Sequence, residues 1–239
     1  MKNLVLIHGW GFSSEVFSDL ASLLREKAQV KVIDLPGYGE KHSVMFSDSL
    51  QKIAEEIAQE IDNSSVVIGW SLGGLVALQL AIDFPDKVES LIMVAATPCF
   101  IQQPDWVKAA DSKLSRQFYQ QVEENGELAL NSFYKQLAAM ERSPRNTLQE
   151  IKRLQRDCNS NKENLLQSLN VLHNSDLRDQ LLSTSKKITW VYGDNDQLVP
   201  AQHDALTKHS KVEIIAGAGH LPFISQQDEC LKLIEEAVK

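Results

Sequence analysis

The strongest chemical signal in the chain is Val66-Val67-Ile68-Gly69-Trp70-Ser71-Leu72-Gly73-Gly74, followed by the apolar stretch Leu75 to Ile82. This is a G-x-S-x-G run set between a strand pattern and a helix pattern, the context in which a serine is presented as a nucleophile. Glycine at 69 and 73 removes Cβ atoms that would clash in so sharp a turn, which lifts the Ser71 hydroxyl clear of the strand end. The start of the following helix also favours developing negative charge. Read as an ordinary glycine turn the run would do no chemistry, but its flanking elements favour the nucleophile.

A serine hydroxyl is a weak nucleophile alone, so this reading demands a base and a group to orient the base, in the chain order Ser, Asp, His. Both occur late in the chain. The apolar run Ile188 to Tyr192 leads into Gly193-Asp194-Asn195-Asp196, and Val212 to Ile215 leads into Gly217-Ala218-Gly219-His220. Each candidate stands just past a strand end, on the same edge of a sheet as Ser71. His220 is the expected base. Asp196 is preferred as its partner over Asp194, which immediately follows a turn glycine and has an alternative role as a turn cap. His42, His173, His203 and His209 sit in polar or helical settings and read as surface residues. An oxyanion needs two donors, and the backbone N–H groups of Leu72 and of Trp10, in His8-Gly9-Trp10-Gly11, are placed to supply them. His8 reads as a brace for that loop. Trp10 and Trp70 are either walls for an acyl chain or core aromatics.

The elements that must hold these residues follow from the pattern of the chain. Short β-branched runs at Leu4 to Ile7, Val30 to Ile33, Val66 to Ile68, Leu91 to Val94, Ile188 to Tyr192 and Val212 to Ile215 alternate with helix-length amphipathic stretches. Runs of this kind suit strands buried on both faces. Their alternation with helices predicts an α/β fold with a mostly parallel, doubly wound sheet of about six strands. Some 90 residues between Val94 and Ile188 break the rhythm, with helical patterns at Leu114 to Val122, Leu128 to Met140 and Leu148 to Leu154. They predict a single domain with a core over 1–97 and 188–239, and a helical cap over about 98–187 lying across the carboxyl ends of the strands.

Composition sets the outer bounds. In 239 residues there are 24 basic and 32 acidic side chains, a net charge of −8 that argues against a nucleic-acid partner. No apolar run approaches the length of a membrane span. The N-terminus lacks the features of a signal peptide, and three cysteines make no disulfide framework, so a cytoplasmic protein is expected. Cys99, just past a strand end, either lines the crevice or is a buried structural thiol, the latter preferred. No His/Cys cluster has ligand spacing, so neither a metal nor an organic cofactor is expected. A monomer is expected.

The chain resembles the α/β-hydrolase superfamily over essentially its whole length. Five motifs carry a more specific similarity to the pimeloyl-acyl-carrier-protein methyl ester esterase family of biotin synthesis. They are His8-Gly9-Trp10-Gly11, Asp34-Leu35-Pro36-Gly37-Tyr38-Gly39, Gly69-Trp70-Ser71-Leu72-Gly73-Gly74, Thr97-Pro98-Cys99-Phe100 and His220-Leu221-Pro222-Phe223-Ile224-Ser225. The resemblance implies cleavage of the methyl ester that masks the distal carboxyl of a pimeloyl chain held on acyl carrier protein. It implies Ser71 as nucleophile, His220 as base, Asp196 as its partner, and Trp10 and Leu72 in substrate and oxyanion contact. A family stretch that touches the acyl chain has its nearest counterpart in Phe133, Tyr134, Lys135, Gln136 and Leu137, of which Phe133 matches. The hairpin that usually precedes the first strand of the superfamily is missing, which predicts a more exposed first edge.

A charge asymmetry bears on the carrier. The window from Arg142 to Arg156 holds five basic residues (Arg142, Arg145, Lys152, Arg153 and Arg156) against Glu150, so it is +4 while the rest of the chain is −12. At about 100° per residue, the four from Arg145 onward share an arc of about 100°, with Leu148, Ile151 and Leu154 on the other side. Ser143-Pro144 suits the start of that helix. Such a stripe suits docking of an acidic partner, or else is a solvated helix face. Within the same fold, a general carboxylesterase, a thioesterase and a carbon–carbon bond hydrolase stay open, as does a non-catalytic receptor on a hydrolase scaffold.

Overall fold

The computed structural model describes residues 1–154, 158–202 and 206–239. Six strands, β1 (Asn3–Ile7), β2 (Gln29–Ile33), β3 (Ser65–Trp70), β4 (Val88–Val94), β5 (Lys187–Gly193) and β6 (Ser210–Ile215), form one sheet in the order β2-β1-β3-β4-β5-β6. Every pairing is parallel. The chain winds outward one way from β1 to β2 and the other way from β3 to β6. The point of reversal is therefore between β1 and β3, where open α/β sheets form their crevice.

Before β5 the connections carry α1 (Ser18–Arg25), α2 (Leu50–Glu60) and α3 (Leu72–Asp83), then α4 (Ser112–Glu124), α5 (Gly126–Ala139), α6 (Pro144–Leu154), α7 (Lys162–Asn174) and α8 (Arg178–Ser183). After β6 come α9 (Pro222–Ser225) and α10 (Gln227–Val238). Alternate strand residues feed two cores, as a period of two requires. Val5, Ile7 and Val67 pack with α2 and α3 on one face, and Leu4, Leu6, Val66 and Ile68 pack with α1 and α10 on the other. Helix α3 is buried from Leu72 to Ala81. That burial accounts for a sequence that is apolar all round rather than on one stripe. Among the described residues, no helix is long and apolar enough to cross a membrane.

Helices α4 to α8 lie between β4 and β5 and pack onto the loops at the carboxyl ends of the strands. Trp10 Nε1–H donates to Leu165 O at 2.9 Å, the Tyr38 and Ser168 hydroxyls meet at 2.6 Å, and Tyr134 O–H donates to Gly11 O. The insertion is thus fastened to both the β1 and β2 loops. Edge strand β2 alternates exposed and half-buried residues from Gln29 to Val32, as an uncovered edge does.

Candidate active site

Ser71 links the end of β3 to the first turn of α3 with φ of 53° and ψ of −119°, a positive φ that a residue with a side chain seldom adopts. The turn is held on both sides. Ser71 N–H donates to Val94 O at 3.0 Å, and Ser71 O accepts from Gly74 N–H at 2.9 Å. Its tightness explains the glycines: a Cβ at Gly73 would stand 2.1 Å from Ile7 O, and one at Gly69 would stand 2.5 Å from Gly73 O. The elbow can form only if α3 starts hard against the end of β1.

His220 and Asp196 are brought together from the loops after β6 and β5. His220 Nδ1 lies 2.7 Å from Asp196 Oδ2, while Asp196 Oδ1 accepts from Leu198 N–H at 2.9 Å and Val199 N–H at 3.0 Å. With Nδ1 donating to the carboxylate, Nε2 keeps its lone pair. The other aspartate is engaged elsewhere, since Asp194 Oδ1 accepts from Gly217 N–H at 2.7 Å and caps the turn after β6. Trp70, next to Ser71, donates its Nε1–H to His220 O at 2.8 Å and packs against the imidazole with ring centroids 5.7 Å apart. Exposure is 7% at Ser71, 4% at Asp196 and 1% at His220, so the three are screened from solvent. Trp70 itself is buried among Phe12, Phe223 and His220, which makes it a core residue and not a wall.

The loop after β1 lies against the elbow: a Cβ at Gly9 would meet the Trp70 ring at 2.9 Å and Ser71 Cβ at 3.1 Å. Leu72 N–H is the first of α3 and has no acceptor within the helix by position. His8 braces the loop, as Nε2 accepts from Leu35 N–H at 3.0 Å and Nδ1–H donates to Gly9 O at 2.9 Å. Burial pushes the His8 imidazole down to about 4. The Trp10 ring meets Phe118 of α4 and Phe133 of α5 edge to face, at 5.4 Å and 5.1 Å. These three rings form an aromatic cluster between the β1 loop and the insertion, with Trp10 buried and Phe118 and Phe133 half-buried. A cavity of about 480 Å³ between α4 and α7, lined by Ser115, Tyr119 and His173 among others, includes none of Ser71, Asp196 and His220.

The stretch from Phe133 to Leu137 is helical, and a helix turns 100° per residue, so its five side chains point in different directions. Phe133 faces Trp10, but Lys135 and Gln136 are exposed, and Tyr134 and Leu137 are buried in the core shared with α1 and α10. On α6, Ile151 and Leu154 are buried while Arg142, Arg145 and Lys152 are exposed. Arg153 is also exposed, yet its guanidinium is held by Glu150 and by Asp19 of α1, the latter at 3.0 Å, so the stripe is less free than its composition implies. Arg156 and His203 lie outside the described residues. His42 and His209 are exposed, but His173 is half-buried, touching Ser115 Oγ at 2.5 Å and the Tyr119 ring.

Cys99 is buried, and burial raises its thiol above the ordinary value. One residue near the histidine escapes sequence reasoning altogether. Glu141, at the corner between α5 and α6, is buried against the His220 loop. A lone acidic residue at a helix end carries no periodic or motif signal.

The family model described as alpha/beta hydrolase fold matches residues 2–227. Among curated proteins, the chain is 34% identical to the pimeloyl-[acyl-carrier protein] methyl ester esterase of Pseudoalteromonas atlantica, covering 99% of this chain and 95% of that protein. It is 36% identical to the protein of the same name from Aliivibrio salmonicida, covering 95% and 88%. Among solved structures, an esterase from Exiguobacterium antarcticum superposes with a TM-score of 0.87 at 20% identity, over 100% of this chain and 92% of that one. A bromoperoxidase from Bacillus anthracis superposes with a TM-score of 0.88, also at 20% identity, over 99% and 91%. The parallel sheet, the strained serine turn after β3 and the match over residues 2–227 agree, and the chain belongs to the α/β-hydrolase fold family.

Proposed function

We propose that the protein is a serine esterase that hydrolyses the methyl ester of a pimeloyl chain carried on acyl carrier protein. The observation that carries the chemistry is the pair at 2.7 Å between His220 Nδ1 and Asp196 Oδ2, with His220 hydrogen-bonded to Trp70, whose chain neighbour Ser71 is held at positive φ. The substrate rests on the named relatives, which are 34% and 36% identical over nearly the whole chain.

In this reading Ser71 Oγ attacks the ester carbonyl as its proton passes to His220 Nε2. The imidazolium is stabilised by Asp196, and the oxyanion by the N–H groups of Trp10 and Leu72. Collapse of the tetrahedral intermediate breaks the bond to the methoxy oxygen, which takes the proton from Nε2 and leaves as methanol. Water, deprotonated by the same nitrogen, then attacks the acyl-enzyme; the bond to Ser71 Oγ breaks, Oγ takes that proton back from Nε2, and the free carboxylate leaves. The cluster of Trp10, Phe118 and Phe133 supplies the apolar contacts for the acyl chain, through its half-buried rings Phe118 and Phe133. Residues 98–187 act as the cap over it, with Arg142, Arg145 and Lys152 facing the carrier.

A fluorophosphonate probe tests the nucleophile. It should label the folded protein at Ser71, and Ser71→Ala should abolish both labelling and ester hydrolysis, a loss of up to about 10⁶-fold in turnover. Labelling elsewhere, or substantial hydrolysis by Ser71→Ala, would overturn the assignment.

A further inference from the structure

Glu141 belongs to the insertion, yet both of its carboxylate oxygens are spent on the loop that carries His220. Oε2 accepts from Gly219 N–H at 2.7 Å and from Ser225 O–H at 2.5 Å, and Oε1 accepts from Leu221 N–H at 2.7 Å. The two peptide donors flank His220 on either side. With Trp70 Nε1–H on the His220 carbonyl, the backbone of this residue is held at three successive points. Gly219 makes the approach possible, because a Cβ there would stand 2.7 Å from Glu141 Oε1 and 2.7 Å from Met140 Cβ. Glu141 is 4% exposed, and a buried carboxylate taken up wholly by two peptide N–H groups and a hydroxyl is an expensive way to hold a loop unless its position matters.

We propose that Glu141 is a positioning residue for catalysis: through the Gly219 and Leu221 peptides it sets the placement of the His220 imidazole between Asp196 and Ser71. This rests on the Ser71-His220-Asp196 reading above. The insertion thereby supplies part of the catalytic frame as well as a cover. Glu141→Gln is the sharpest substitution. It keeps volume, but turns one acceptor oxygen into an NH₂ that must face a peptide N–H or the Ser225 hydroxyl, so the loop has to shift. A displacement of about 1 Å in a reacting group costs on the order of 10²-fold.

The test compares wild type, Ser71→Ala, Glu141→Gln, Glu141→Asp and Ser225→Ala on a small p-nitrophenyl ester, with thermal unfolding beside it. Activity of wild type lost in Ser71→Ala validates the underlying triad reading, and its failure would show there. Glu141→Gln is expected to lower kcat about 10²-fold with KM within about twofold, and to shift or abolish the downfield proton resonance of His220 Nδ1–H. Glu141→Asp, which keeps both oxygens, should recover part of the loss, and Ser225→Ala, which removes one of three donors, should cost less than Glu141→Gln. A folded Glu141→Gln protein with wild-type kcat and an unchanged Nδ1–H resonance would overturn the proposal. Should Glu141→Gln not fold, wild-type kcat and resonance in both Glu141→Asp and Ser225→Ala would overturn it equally.

Discussion

Asp194 and Asp196 are two residues apart and chemically identical, and burial and hydrogen bonds separate them, Asp194 being exposed and Asp196 buried. Asp194 receives Gly217 N–H, whereas Asp196 receives the imidazole. Asp196→Asn should therefore lower kcat by about 10⁴-fold by favouring the wrong histidine tautomer, while Asp194→Asn, whose Oδ1 can still accept from Gly217, should stay within a few fold. Steady-state kinetics on one ester decides this, and the reverse order would transfer the orienting role. His8 gives a pH dependence of a different kind. Burial holds its folded-state value at about 4 against an ordinary 6.5, so between these values the unfolded chain takes up a proton that the folded chain refuses. Its contribution is full above pH 6.5 and is lost as pH falls toward 4, by at most about 3 kcal/mol. Urea midpoints at pH 7 and pH 5 should show a steeper loss in wild type than in His8→Gln, and equal slopes would contradict the assignment. Gly69 could be read from the sequence because its clash is with Gly73, four residues on, whereas the closest approach at Gly73 is to Ile7 of β1, a contact the turn pattern alone does not show. Glu141 could not be read, because its partners lie 78 to 84 positions away.

The strands and α3 were legible because each is bounded by its own pattern: β-branched runs closed by glycine, and an apolar helix directly after the serine. Leu4 to Ile7 and Ile188 to Tyr192 fall within β1 and β5, which extend one residue or so beyond them. Helix α6 was legible in its buried face, since Ile151 and Leu154 are buried. Its charged face was not, because the acceptor Asp19 of Arg153 comes from α1, far away in sequence. The five-residue stretch in α5 spreads around the helix for a related reason: a motif read as a block carries no information on the turn of the helix, and Phe133 alone meets the Trp10 ring. At this scale the charge argument becomes a substitution at positions that are exposed. Reversing Arg145 and Lys152 to glutamate should lower kcat/KM for a carrier-linked ester by about tenfold through slower association, and spare a small soluble ester. Equal loss on both substrates would remove docking from the account.

At the scale of the whole molecule, the sheet order places the β1 loop and the Ser71 elbow on either side of its point of reversal, and the β5 and β6 loops bring Asp196 and His220 to the same edge. The insertion is tied to the loops at this edge through Trp10, Tyr38, Tyr134 and Glu141 rather than resting loosely on the core. Alternation of strands and helices predicted the sheet; how the insertion fastens to it is set by contacts between distant loops, which no local pattern encodes. Fold does not fix the substrate, and in the proposed function its selection falls to the cluster of Trp10, Phe118 and Phe133 and to the exposed cations of α6. The most direct test of the central claim is the ratio of kcat/KM for methyl pimeloyl-acyl carrier protein to that for short p-nitrophenyl esters with the wild-type protein. A clear preference for the carrier-linked methyl ester, with free pimeloyl-carrier protein and methanol as products, is the predicted result; intact carrier-linked ester under conditions where the short esters are cleaved would contradict it.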